Sequence, residues 1–314
     1  MMTVLLAAAF FTLGLYLTMR GGDSFVDAAA RLAEASGVPR FVVGATLVSL
    51  CTTAPELTVS LLATVRGSTE LAVGNAVGSA ACNTGLILGV SALLAPAVFH
   101  AREAKTKGGL MLTATILLGC FAVDSRLAPG EALGLLAVLF AFLAMNLQGA
   151  AQERERTRTT PMESGETLRT VSRFGLGAAA VVLGAKLMVD NGVLLARMLG
   201  IPEAVIGLTL VALGTSLPEL MTALAAIRRH EGTLSAGNIV GANLIDLTLV
   251  LPACAAAGGG TLPVAHEVFS RDLPFTVVLM GIAMLPPMFS GRLRRFQGAA
   301  LLGVYGLYLY CLAG

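Results

Sequence analysis

GVPRFVVGATLVSLCTTAPELTVSLLATVRG, residues 37–67, falls without a gap on GIPEAVIGLTLVALGTSLPELMTALAAIRRH, residues 200–230, at an offset of 163. At the same offset ELAVGNAVGSAACNTGLILG (70–89) falls on TLSAGNIVGANLIDLTLVLP (233–252). From Gly37 to Val90, 22 of 54 positions are identical, too many for shared apolar composition alone. The chain is an internal duplication, and the duplicated unit decides the fold.

The unit is too apolar for water. Of 314 residues 56% are hydrophobic and 13% charged, and the mean hydropathy is +0.82, which excludes a soluble globular domain. A net charge of +2, with the basic residues in short clusters between apolar runs, gives no footprint for nucleic acid. Cys51, Cys82, Cys120, Cys254 and Cys311 lie inside apolar runs without a CxxC pair, so neither a disulfide framework nor a zinc site is indicated. The first run, Met2 to Met19, lacks the basic start of a cleaved signal and reads as a spanning helix.

Ten stretches approach the length of about 20 mostly apolar residues that a spanning helix needs. They are 2–20, 41–65, 71–97, 108–124, 129–149, 174–197, 203–227, 233–258, 272–289 and 296–313. The expected fold is an all-α polytopic membrane protein of ten transmembrane helices. Residues 1–150 form a first five-helix repeat, 151–173 a polar linker, and 174–314 the second repeat. Five spans per copy is an odd number, so the second copy enters the bilayer upside down. Inverted repeats with a site at their interface are a transporter architecture.

Lysine and arginine are retained on the cytoplasmic side. With the N-terminus outside, 16 fall in cytoplasmic connections and 4 (Arg66, Arg126, Arg197 and Arg271) in outer ones, so both termini are expected outside and the linker inside.

The polar residues within the spans carry the chemistry. Thr52-Thr53-Ala54-Pro55-Glu56 interrupts span 2, and Thr215-Ser216-Leu217-Pro218-Glu219 interrupts span 7. Proline removes a backbone donor and breaks or kinks the helix. In hydrocarbon the freed carbonyls are tolerated only where protein or a hydrated cavity lines them. Carbonyls and hydroxyls of Thr52, Thr53, Thr215 and Ser216 are hard oxygen donors of the kind sodium, calcium and magnesium favour. Glu56 and Glu219 follow at equivalent mid-span positions, where an ionised carboxylate costs about 3 kcal/mol on insertion scales. A bound cation offsets that cost; protonation or a hydrogen bond to a neighbouring helix is the competing explanation.

Spans 3 and 8 supply the complement: Gly74-Asn75 and Gly78 with Asn83, against Gly237-Asn238 and Gly241 with Asp246. Glycines four apart allow close helix approach and local unwinding. Asn83 and Asp246 occupy one repeat position and are read as facing ligands, giving a site of spans 2, 3, 7 and 8, all broken around it. Asn75 and Asn238 read more readily as caps of loose backbone groups. Glu56, Glu219 and Asp246 sum to −3, which a divalent ion or several monovalent ions would compensate; left empty, such a cluster takes up protons. Lys186 and Asp190 are placed to pair with each other. Arg20, Asp23, Asp27 and Arg31 suggest that the first helix continues past the membrane, and His100, His230 and His266 lie in loops.

At these residues the sequence resembles the calcium/cation antiporter superfamily, which includes the sodium/calcium exchangers. GATLVSLCTTAPEL with GNAVGSAACN matches the first α-repeat, and LTLVALGTSLPEL with GNIVGANLID the second. The resemblance implies electrogenic exchange of sodium for calcium, with spans 1 and 6 sliding across an eight-helix core. It implies calcium among Glu56, Glu219, Asn83 and Asp246. Sodium would lie around them, with oxygens from Thr52, Thr53, Thr215, Ser216, Ser79 and the carbonyls of Ser49 and Ala212. The transported ions are thus Ca2+ and Na+, with H+ or K+ in some relatives, and no covalent cofactor is implied. The short linker suits a minimal prokaryotic transporter of the plasma membrane. Cys51 stands at a usual glycine, where it is expected to add bulk beside the site, Thr53 stands at a usual serine and keeps the hydroxyl, and Ala242 stands where a serine is expected. The missing hydroxyl leaves proton-driven exchange of calcium or another divalent cation open beside sodium-driven exchange. A cation channel suits two pseudo-symmetric breaks less well, and no constellation of an enzyme is visible.

Overall fold

Why the bilayer-crossing segments fold as they do follows from the chain having no water to satisfy its backbone: helices close every bond internally. The computed structural model describes residues 2–96, 104–156, 164–199 and 214–313. Its helices are α1 (Met2–Ser36), α2 (Arg40–Thr52), α3 (Ala54–Val65), α4 (Thr69–Leu94), α5 (Ala104–Asp124) and α6 (Pro129–Arg156). The second half gives α7 (Ser164–Met198), α8 (Leu217–Arg228), α9 (Gly232–Ala257), α10 (Val268–Ser290) and α11 (Arg295–Ala313). Among the described residues seven helices are long and apolar enough to cross a membrane, or eight if the bent pair α2 and α3 is one span.

The duplication holds at the level of element bounds. Adding 163 to Ala54–Val65 gives Leu217–Arg228, and adding it to Thr69–Leu94 gives Gly232–Ala257. Thr53, at φ −83° and ψ −1°, and Ser216, at φ −85° and ψ 6°, occupy equivalent joints. Pro55 and Pro218 each sit in the first turn of the helix that follows, where the missing N–H belongs to no helical bond. The break expected in span 2 is therefore a single-residue joint that bends α2 against α3 by 44°. Only the end of the equivalent break in span 7, from Gly214, lies within the described residues.

Spans 3 and 8 differ from expectation. Both run without interruption, and in place of unwinding each carries a π-helical turn, Asn83–Ile87 in α4 and Asp246–Val250 in α9. Such a turn inserts one residue and re-aims the side chains that follow, without leaving the helix. The ends of the polar linker are helical too, since α6 runs to Arg156 and α7 begins at Ser164. Among the described residues the one departure from an all-helical fold is a two-residue antiparallel ladder, β1 (Arg126–Leu127) with β2 (Leu262–Pro263).

Burial sorts the helices into centre and periphery. In the apolar windows of α4 and α9, 72% and 83% of residues are buried, against 22% and 17% in α1 and α7. Two pairs of glycines bring the peripheral helices together. A Cβ at Gly14 would lie 2.7 Å from the Gly184 carbonyl oxygen, and one at Gly177 would lie 3.0 Å from that of Gly21. The same device seats α9 on α2, where a Cβ at Gly237 would run into the Phe41 carbonyl oxygen and one at Gly241 into that of Ala45. The role of the glycines four apart in span 8 is thus close packing.

The two ends of the bundle differ in chemistry. At the N-terminal end of α9, Arg40 bridges Glu34 and Glu231, Arg31 bridges Glu166, Asp23 bridges Arg228, and Asp27 bridges Arg229 and Arg173. The ladder follows the opposite end of α9. The ion pairs and the ladder therefore lie at opposite ends of α9.

Candidate cation site

The two joints and the two π turns converge on a dry polar centre. Glu56 stands in the first turn of α3 and Glu219 in the first turn of α8, where the unpaired N–H groups of a helix start favour a negative charge. Asn83 and Asp246 each open a π turn. Glu56, Glu219 and Asp246 are fully buried and Asn83 nearly so. Thr52, Thr53, Ser79 and Ser216 are buried around them, and Thr215 partly so.

Few of these groups satisfy one another. Both carboxylate oxygens of Glu56 and of Asp246, both side-chain polar atoms of Asn83, Oε2 of Glu219 and the hydroxyls of Ser79 and Ser216 have no hydrogen-bond partner. A buried polar group left unpaired costs about 1–3 kcal/mol, more when charged, so a native cluster of them needs a reason. No Lys, Arg or His within the described residues forms an ion pair with the three acids, while Glu56 lies within electrostatic range of both Glu219 and Asp246. The unpartnered acceptors of the cluster are all oxygens, three of the side chains are acids, and no basic side chain among the described residues pairs with them. No three His, Cys, Asp or Glu side chains among the described residues stand close enough to hold a metal ion alone. Neutral oxygens of Asn, Thr, Ser and the backbone would have to complete the shell, as hard cations accept.

The bonds that do form cross between repeats. Thr52 Oγ1 donates to Asn238 Oδ1 at 3.3 Å, and Thr215 Oγ1 donates to Asn75 Oδ1 at 3.2 Å. Thr53 Oγ1 donates to Glu219 Oε1 at 3.5 Å. Asn75 also donates from its amide to the Glu56 carbonyl at 3.3 Å and to Ser60 Oγ at 3.0 Å. Asn238 has no such second role: Ala223 stands where the first repeat has Ser60, and its amide nitrogen is unpartnered.

Other expected ligands fare differently. The Ser49 carbonyl already accepts the Thr53 N–H at 2.8 Å and lies 3.4 Å from the Thr52 hydroxyl oxygen. Ala212 lies outside the described residues. Ala242 is buried in α9 and brings no oxygen where Ser79 brings one. Cys51, expected to add bulk beside the site, packs instead in the cluster of Phe25, Val43, Val48 and Phe174 between α1, α2 and α7. Lys186 and Asp190 pair at 2.8 Å on the exposed face of α7. Reading by the repeat passed over Thr84 and Asn243, both buried next to the site residues; their counterparts Leu247 and Ala80 are apolar, so the offset gave no signal.

A bundle of long apolar helices around a buried cluster of acidic and polar side chains defines a polytopic membrane protein. The sequence signature of the sodium/calcium exchanger protein family matches residues 6–148 and 170–314, and the chain belongs to that family. It is 35% identical over 286 residues to the inner membrane protein YrbG of Escherichia coli (strain K12), covering 88% of this chain and 86% of that one. It is 31% identical over 343 residues to the sodium/calcium exchanger MaX1 of Methanosarcina acetivorans, covering 96% of both. A solved structure of the sodium-calcium exchanger NCX_Mj, soaked with Na+ and Sr2+, superposes with a TM-score of 0.86 at 29% identity, covering 98% of this chain and 99% of that one.

Proposed function

We propose that this chain is a secondary antiporter that exchanges sodium for calcium across a prokaryotic plasma membrane by alternating access. The observation that carries the reading is the set of unpartnered carboxylates, Glu56, Glu219 and Asp246, fully buried with Asn83 at facing joints and π turns. Such groups persist in a fold when a ligand supplies the missing charge. Membership of the sodium/calcium exchanger family supports the same ions. The protein moves its substrate and alters no covalent bond, so it is a transporter and not an enzyme.

In this reading calcium binds among Glu56, Glu219, Asn83 and Asp246. Sodium ions use the surrounding oxygens of Thr52, Thr53, Thr215, Ser216 and Ser79 with the carbonyls of Ser49 and Ala212. The ten spans comprise the seven long helices, the bent pair, α8 with the chain before it, and α11. Residues 1–150 and 174–314 are the two inverted units. Both termini lie outside and residues 151–173 inside; the meeting of Arg31, Arg40, Arg173, Arg228 and Arg229 at one end supports that orientation.

Proteoliposomes loaded with sodium test the proposal. Calcium uptake driven by an outward sodium gradient, and absent with a proton gradient alone, is the expected result. Uptake driven by protons and indifferent to sodium would overturn it. One observation favours that second reading: Ala242 withdraws an oxygen from the sodium set. Proton-driven exchange of calcium or another divalent cation needs only the carboxylates.

A further inference from the structure

The polar centre is built by two copies of one unit, yet its bonds are not all duplicated, and one of them joins two residues whose counterparts are both apolar. Asn243 Nδ2 donates to Thr84 Oγ1 at 2.7 Å, and the same amide lies 3.6 Å from Met111 Sδ. The Thr84 hydroxyl spends its own hydrogen on the Ala80 carbonyl at 2.9 Å. Both side chains are fully buried, and Asn243 Oδ1 has no partner. In the repeat Asn243 corresponds to Ala80 and Thr84 to Leu247, so apolar residues suffice to fold the equivalent places. A buried amide with one open acceptor is costlier than alanine there.

Position gives the bond its meaning. Thr84 follows Asn83 directly, inside the π turn of α4. Asn243 stands one helical turn before Asp246, which opens the π turn of α9. A hydrogen bond between them fastens the two central helices together at the level where each presents its oxygen donor.

We propose that the Thr84–Asn243 bond is a positioning clamp that sets the separation of Asn83 and Asp246 and thereby the preference of the site for calcium over sodium. The proposal rests on the exchanger reading above. Calcium takes six to eight oxygens at once, and discrimination among hard cations depends on cavity size, ligand number and flexibility. Loosening the two helices withdraws donors that the divalent ion needs together, whereas a monovalent ion held by fewer of them loses less. Partners that orient metal ligands typically matter 10–100-fold in metal affinity.

Calorimetric titration of the purified full-length protein with calcium and with sodium tests the clamp. Thr84→Val keeps the shape and removes the acceptor; Asn243→Ala removes the donor and strands nothing, which guards against simple misfolding. Both are expected to weaken calcium binding by about tenfold and sodium binding by less. Thr84→Ser, which keeps the hydroxyl, restores the wild-type ratio. An unchanged calcium-to-sodium affinity ratio in both variants, whatever happens to melting temperature, overturns the clamp and leaves the exchanger reading standing. A wild-type protein that binds neither ion overturns both.

Discussion

The hydroxyl of Thr52 donates to the amide oxygen of Asn238 at 3.3 Å, fastening the joint of the first repeat to the central helix of the second. Thr215 returns the contact to Asn75 at 3.2 Å. The two bonds are related by the duplication but unequal in what surrounds them. Asn75 keeps two further bonds, to the Glu56 carbonyl and to Ser60, whereas the Asn238 amide nitrogen is already bare. Thr52→Val is therefore expected to cost about 1–3 kcal/mol and Thr215→Val clearly less. Thermal unfolding in detergent measures both, and equal losses would contradict the asymmetry.

Glu56→Gln and Glu219→Gln each remove a charge from a site that has no basic partner among the described residues. Taking one partner from a buried ionic arrangement typically costs about 3–5 kcal/mol, roughly two to four orders of magnitude in affinity. Both variants should reach the membrane in normal amount and show no sodium-driven calcium uptake in vesicles. Transport at wild-type rate in either would remove that carboxylate from the site.

Ala242→Ser returns a hydroxyl to the position where the first repeat has Ser79. A neutral oxygen added to a sodium shell raises apparent sodium affinity, read as a lower half-saturating sodium concentration for exchange. An unchanged sodium dependence would mean that the shell is complete without this side chain.

His230 lies at φ +58°, and its counterpart Gly67 lies at φ +81°. Each closes its helix with an N–H donated to the carbonyl three residues earlier, Ile227 or Thr64. A side chain in the left-handed region costs about 1–2 kcal/mol, from which glycine is exempt. His230→Gly should raise the melting temperature and leave transport unchanged. A lower melting temperature would mean that the imidazole contributes more than its backbone strain removes.

Much of this architecture was readable by sliding the sequence along itself. The offset of 163 carries the bounds of α3 and α4 onto those of α8 and α9, and the paired Thr/Ser-Pro-Glu segments become equivalent joints. Extension of α1 to Ser36 was announced by the charged residues from Arg20 to Arg31, which a lipid-facing span would not tolerate. The π turns were not readable, because nothing in their residues marks them: one begins with Asn83 and the other with Asp246. Cys51 was misplaced because the helical period alone does not say which face of α2 meets α1 and α7. The bond of Thr84 to Asn243 joins residues 159 apart whose counterparts are apolar, so comparison of the copies conceals it.

The bridges at one end of the bundle tie α1 at Asp23 and Asp27 to Arg228 and Arg229, all four partly exposed. Pairs so placed contribute about 0–1 kcal/mol each and weaken as salt is added. Any travel of α1 along α8 has to exchange one set of partners for another. The oppositely charged residues between α1 and the end of α8 are thus a set of contacts each weak enough to open by thermal agitation, and their combined hold is set by ionic strength.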